Sequence, residues 1–354
     1  MRRLGTYLVH LVLLVASLEV ACRLGFALPY FADRRIFHDE LSWRRAWVRL
    51  RGPGPEIRYG QDVYDTTKGW KSRPNMGPVR RADGAVLSTN SHGLRGSTEH
   101  PYERRSGLPR LLLVGDSFTF GEGVSDAETY ASQLQRWLPG VDIVNMGMRG
   151  YGHDQMLILL REEGVKYAPD VVLLGFVGRD MSRNLLAFRD YAKPRFVLRR
   201  GALALTASPV PPPEMLLQWD WVRPRLYDMA SLVGQVVSEQ TGLQAREEAA
   251  VTAAILAEIA RVAERIRAVP VVAYLPVGPE LSGAPGTLAG ERFLSQFCES
   301  HREVRCFSTG PRFTEALESG VRFSAQGHWD AAAHRVAAEA IGSYLVREHL
   351  LGAS

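Results

Sequence analysis

The residues best suited to chemistry sit in four short stretches, three of them after apolar runs and one before a helical stretch. The first is Gly115-Asp116-Ser117-Phe118-Thr119-Phe120-Gly121, directly after Arg110-Leu111-Leu112-Leu113-Val114. A buried strand that ends on glycine permits the sharp turn that exposes a following serine, and a hydroxyl placed there suits nucleophilic attack on an acyl carbon. The second stretch is Asn145-Met146-Gly147-Met148-Arg149-Gly150-Tyr151-Gly152-His153-Asp154-Gln155. Gly150 has no side chain to hold an oxyanion away from backbone N–H groups, although an ordinary strand-to-helix turn would use the same residues. The third is Gly178-Arg179-Asp180-Met181-Ser182-Arg183-Asn184, in which Arg179 offers a guanidinium for an oxyanion or an anionic substrate. The fourth, Gln326-Gly327-His328-Trp329-Asp330, carries an imidazole that can take up a hydroxyl proton.

From about Gly69 onward these stretches resemble the sequence blocks of the SGNH (GDSL-like) hydrolases, of the membrane-anchored bacterial type. Gly-Asp-Ser is that family's first block, which gives Ser117 the role of nucleophile. The oxyanion hole implied by the resemblance consists of Ser117, Gly150 and, where the family has Asn, Arg179. Relatives with Gly-Trp and Asn-Ser-x-Gly-x-Arg-Gly segments, here Gly69-Trp70 and Asn90-Ser91-His92-Gly93-Leu94-Arg95-Gly96, read Asp-Gly-His-Trp-Asn in the last block. Their His is the general base and their Asp orients its ring. This chain keeps the base as His328 and has Gln326 in place of the carboxylate. An amide oxygen can accept from the ring N–H and fix its tautomer, but it brings no charge to stabilise imidazolium. Asp330 either stands in for that carboxylate or caps the last helix. His153 and His334 are expected to be structural or surface residues.

The resemblance implies a flavodoxin-like three-layer α/β/α sandwich with a mostly parallel sheet. It also implies an ester hydrolase or acyl transferase that works through a Ser117 acyl-enzyme and uses no metal or organic cofactor. The substrate class it suggests is an acylated polysaccharide or lipid, with a cell-surface glycan ester first. The changes at 179 and 326 keep a second reading open, a catalytically weakened member that binds a glycan or acyl group. A third reading is a non-enzymatic anchor or assembly component that keeps the fold.

The elements that must position these residues are legible from texture. Apolar runs at 110–114, 141–145, 171–176 and 271–275 alternate with helical stretches at 129–138, 155–164 and 247–268, and a final helix is expected over 331–348. Short continuous apolar strands alternating with helices predict a parallel sheet covered on both faces. An insertion at 193–244 interrupts the alternation. It contains a predicted hairpin around Arg199-Arg200-Gly201, a proline cluster at 209–213 and an amphipathic stretch around Trp219 and Trp221. A cap over the site is expected there, with those aromatic residues in its own core.

Before this domain, assigned to 109–352, the chain divides into a signal anchor at 1–29, a juxtamembrane linker at 30–55 and an irregular segment at 56–108. The anchor reading rests on an apolar run after Arg2 and Arg3, with Glu19 and Arg23 one helical turn apart near its end. Arginines after the span outnumber those before it, so charge alone does not set its orientation. An extracytoplasmic catalytic domain is what the resemblance implies. With 354 residues and 46% hydrophobic side chains, the chain has material for a substantial core. Its net charge of +5 is scattered arginine, and no zinc-finger, RNP or basic-zipper pattern points to nucleic acid. Of three cysteines, Cys298 and Cys306 are the two close enough to invite pairing.

Overall fold

The computed structural model describes residues 2–28, 40–50, 56–58, 60–104, 107–281, 289–324 and 327–351. Helix α1 (Arg2–Ala27) is long and apolar enough to cross a bilayer. Helix α2 (Glu40–Leu50) falls within the expected linker, yet it docks on the body and buries Trp47 against Phe188 and Tyr191. The next segment holds a three-stranded antiparallel sheet, β1 (Glu56–Arg58), β2 (Asp62–Asp65) and β3 (Gly69–Ser72), and a small hairpin, β4 (Val79–Arg80) with β5 (Val86–Leu87). Trp70, Leu87 and Leu94 anchor this segment in the core.

The core alternates strand and helix. Strand β6 (Arg110–Gly115) leads to the single-turn helix α3 (Ser117–Phe120) and to α4 (Tyr130–Trp137). Strand β7 (Asp142–Gly147), α5 (His153–Glu162) and β8 (Val171–Phe176) follow. The strands β9 (Phe188–Arg189) and β10 (Tyr191–Ala192) precede the insertion, which holds β11 (Arg195–Arg199), β12 (Ala202–Thr206), α6 (Pro213–Val222) and α7 (Arg225–Gln240). After it come α8 (Leu243–Arg265), β13 (Val269–Tyr274), α9 (Gly278–Leu281) and α10 (Ala289–Ser300). The last elements are β14 (Arg305–Ser308), α11 (Gly310–Glu318) and α12 (Ala331–Arg347).

The main sheet runs β7-β6-β8-β13-β14 with every pair parallel. Counted along the chain, this is the 2-1-3-4-5 order of flavodoxin-like folds, with the expected helical layer on each face. In such sheets ligands bind beyond the carboxyl ends of the strands, where the order reverses, here between β6 and β8. Strand β6 shows why the sequence reads as an unbroken apolar run rather than an alternating one. Leu111 and Leu113 face the layer that contains α12, Leu112 and Val114 face the layer that contains α5 and α8, and all four are fully buried. On α8, Val251, Ile255, Ile259 and Val262 recur at three- and four-residue steps and form the stripe that meets this second layer.

Two details of the insertion matter below. Strands β11 and β12 pair as a hairpin whose turn residues Arg200 and Gly201 both have positive φ, 51° and 79°, which matches the right-handed twist of the strands. The Lys193 ammonium, fully buried, is ion-paired with the equally buried Asp154 of α5, and it also donates to the carbonyls of Arg183, Leu186 and Pro194. The tryptophans expected in a cap core are instead at the surface, Trp219 at 51% and Trp221 at 81% exposure.

Candidate active site

Backbone proximity builds the turn that carries Ser117. A Cβ on Gly115 would lie 2.0 Å from Thr119 Oγ1, and one on Gly147 would lie 2.2 Å from the Phe120 nitrogen. Glycine at both positions therefore lets α3 rest on the ends of β6 and β7. Asp116 caps α3, its Oδ1 accepting from the Phe118 N–H at 2.9 Å, and Gly121 ends the turn at φ +86°. As the first residue of the helix, Ser117 has a backbone N–H without an intrahelical partner. Its side chain Oγ lies 2.8 Å from His328 Nε2 and 3.3 Å from Asp116 Oδ2.

His328 is held from both sides. Trp329 Nε1 donates to the Pro276 carbonyl at 2.9 Å, and its ring meets Phe118 edge-on. Asp330 is the cap of α12, one oxygen accepting from Ala333 N at 2.9 Å and the other from Ser324 N at 2.8 Å, so its carboxylate is engaged in the turn. Gln326 lies outside the described residues. Burial holds the His328 imidazole below its usual 6.5, against an upward pull from the Asp116 and Glu122 carboxylates, while the Arg179 and Arg183 guanidiniums add to the lowering. The ring is thus neutral at neutral pH and able to accept a proton.

On the opposite wall Gly150 sits at φ +78°, where a Cβ would meet Arg189 Nη1 at 2.4 Å and Asp190 Oδ2 at 2.5 Å. The loop around it is pinned by Trp70, whose Nε1 donates to the Arg149 carbonyl at 2.9 Å. Arg95 from the Asn90-to-Gly96 segment donates to the carbonyls of Gly121 and Val124 and pairs with Asp126, so the two N-terminal motifs brace the loops on either side of Ser117. Arg179 is exposed, with its guanidinium 5.0 Å from the centre of the Phe118 ring. Ser117, Gly150, Arg179 and His328 all line one cavity of about 410 Å³, together with Trp43, Glu122, Arg149, Arg183 and Arg189.

Of these contributors, Trp43, Glu122, Arg149, Arg183 and Arg189 were not singled out by sequence. Arg183 is buried, donates to the Tyr151 carbonyl at 2.8 Å and pairs with Asp180 at 2.7 Å and Asp116 at 3.4 Å. Burial pushes the Asp180 carboxyl well above the carboxylate range, more than Arg183 pulls it down. Trp43 comes from α2, far upstream in a charged stretch, and nothing in its sequence surroundings marks it. Glu122 follows the nucleophile block directly, and only its place in the cavity sets it apart. Asn184, the nearest asparagine to Arg179, turns away and donates to Thr252 Oγ1 at 2.8 Å. His153 and His334 are fully buried and structural. His153 stacks on Phe176, and His334 Nδ1 accepts from Tyr130 N at 3.2 Å.

No family model and no curated protein matches the chain. Solved structures similar to it include GDSL-type lipolytic proteins and acetylxylan esterases. A member of the lipolytic protein G-D-S-L family from Veillonella parvula aligns at TM-score 0.41 and 13% identity, over 67% of this chain and 98% of its own. A catalytic mutant of an acetylxylan esterase from Geobacillus stearothermophilus aligns at 0.40 and 17%, over 71% and 97%. TesA aligns at 0.40 and 18%, over 68% and 99%.

Proposed function

We propose that this protein is a membrane-anchored serine esterase that cleaves or transfers a short acyl ester, with Ser117 as nucleophile and His328 as general base. The observation that carries the reading is the 2.8 Å contact between Ser117 Oγ and His328 Nε2 inside an open cavity. The Ser117 proton passes to Nε2 as Oγ attacks the ester carbonyl, and the oxyanion is received by the N–H groups of Ser117 and Gly150 and by the Arg179 guanidinium. His328 then returns the proton to the leaving alcohol. In the second half it takes a proton from the water, or acceptor hydroxyl, that resolves the acyl-enzyme. Asp116 and Glu122 supply negative charge near the imidazolium, part of what the family's missing carboxylate would give.

The lining favours a polar ester. Four arginines, Glu122 and Ser182 surround the nucleophile, whereas a long acyl chain needs an apolar tunnel, so an acetyl-like group on a carbohydrate is the substrate we propose. Helix α1 supports anchoring, and the Cys298–Cys306 disulfide supports a domain outside the cytoplasm, since structural disulfides persist in oxidising compartments. The test is labelling of the full chain, in detergent, by a fluorophosphonate probe. We expect labelling of the native protein and none of Ser117→Ala. An unlabelled native protein would replace the enzyme by a binding module.

A further inference from the structure

Outside α1, exposed large apolar side chains concentrate on α6 and α7: Trp219, Trp221, Val222, Tyr227, Val233 and Val237. On α7, Tyr227, Val233 and Val237 fall at helical spacing on one face, with the exposed Ala230 between them. Single exposed valines are ordinary, but an apolar face on α7, preceded on α6 by two exposed tryptophans, marks an interaction surface.

The contacts of α1 say what covers it. From Leu4 to Leu18 the side chains of α1 are exposed, and Glu19 is the first that is partly covered. Glu19 accepts from the backbone N–H groups of Arg225 and Leu226, both at 2.9 Å, at the first turn of α7. Arg23, paired with Glu19 at 2.8 Å, donates to the Arg223 carbonyl. The fully exposed part of α1 provides about 22 Å of helix at about 1.5 Å per residue, while a bilayer core is about 30 Å thick and needs about 20 residues. A membrane crossed by α1 must therefore extend to about the level of Arg23, which is the level of the α6–α7 corner.

We propose that α6 and α7 lie in the headgroup layer of the membrane that α1 crosses, with the face of Trp221, Tyr227 and Val237 inserted among the lipids. The inference rests on the reading of α1 as a spanning helix. Tryptophan and tyrosine favour this layer because each has an apolar body and a polar edge. Behind the apolar face the charges are matched within the protein: Arg225 pairs with Asp220 and Asp228, and Arg223 with Asp228. Asp220 also pairs with Arg44 of α2, the helix that contributes Trp43 to the catalytic cavity. The cavity is thereby fixed relative to the lipid surface, a geometry for esters presented at the membrane.

The test places a single environment-sensitive fluorophore on the full chain in a Cys22→Ser background. The sites are Leu13→Cys, Trp221→Cys, Val237→Cys and Val346→Cys, the last on α12, across the sheet from the insertion. The protein is reconstituted in phosphatidylcholine–phosphatidylglycerol vesicles that contain lipids spin-labelled near the headgroup or deep in the chain. At 221 and 237 we expect blue-shifted emission and several-fold stronger quenching by the shallow lipid label than at 346, with iodide quenching strong only at 346. Iodide quenching at 221 and 237 equal to that at 346, with Leu13→Cys still quenched by the deep label, overturns the proposal and leaves the anchor. Shielding from both quenchers, with energy transfer between labelled chains, assigns the face to a second copy and also overturns it. Iodide access at Leu13→Cys removes the anchor itself, and the proposal with it.

Discussion

The reaction proposed at Ser117 needs an unprotonated imidazole, and burial favours that form of His328. The base must be neutral to act, so kcat/KM should rise with pH through an apparent pKa below the ordinary 6.5. Glu122→Gln removes a charge that pulls His328 upward and should move that acid limb to still lower pH, a shift read directly from the pH profile. Gln326→Asp should act in the opposite sense. In serine proteases, changing the carboxylate to an amide costs about 10⁴ in rate, so restoring it should raise kcat about tenfold or more. A fall in kcat would give Gln326 another task, such as contact with substrate. Gly150→Ala tests the proposed oxyanion site: its φ of +78° predicts about 1–3 kcal/mol of strain, with kcat/KM reduced by at least about tenfold. Ser117, Gly150 and His328 were readable because each stands in a block whose residue types have a chemical reason. Arg183 was not, since only the folded chain shows that it reaches back to Asp116, the residue before Ser117.

Among the elements, four of the five strands were legible from continuous apolar runs, and the layers are those expected; β14 was not, because Arg305-Cys306-Phe307-Ser308 is a short, partly exposed edge strand with no such run. The helix α2 was missed because a charged stretch with interspersed tryptophans has the composition of a linker, and only the pocket formed by Phe188 and Tyr191 gives Trp47 a place to bury. Trp219 and Trp221 were misplaced for the converse reason: amphipathic spacing states that one face is apolar, not what lies against it. The insertion itself is tied to the core by Lys193, a residue without a motif. Lys193 and Asp154 are both fully buried, and burial pushes each toward its neutral form while their attraction opposes it. Lys193→Met would leave the carboxyl without its counter-ion and should cost about 3–5 kcal/mol, read as a lower urea midpoint. Adding Asp154→Leu should recover a large part of that loss. No recovery would mean that Lys193 acts chiefly through the carbonyls of Arg183, Leu186 and Pro194.

Over the whole molecule, stability and pH are linked through the two buried histidines on opposite layers of the sheet. Burial takes both His153 and His334 to about 3, from an ordinary 6.5. The unfolded chain therefore binds two protons below pH 6.5 that the folded chain refuses until about pH 3. Stability from these groups is fully present above 6.5 and falls as the pH is lowered through that window, by about 1.4 kcal/mol per pH unit for each histidine. Asp180 works the other way. Its folded carboxyl stays protonated above the ordinary carboxylate range, so its contribution is largest in acid and is lost as the pH rises. Comparing the native chain with one variant isolates a single histidine from this background. His334→Asn keeps an acceptor near the position of Nδ1 for the Tyr130 N–H and removes the titrating ring. Unfolding free energies in detergent should then differ by a constant amount above pH 6.5. Below it, the native chain should lose about 1.4 kcal/mol more per pH unit than the variant. Parallel curves down to pH 4 would mean that His334 takes up its proton in the folded state, and that its ring is less enclosed between Tyr130 and Trp329 than the structure describes.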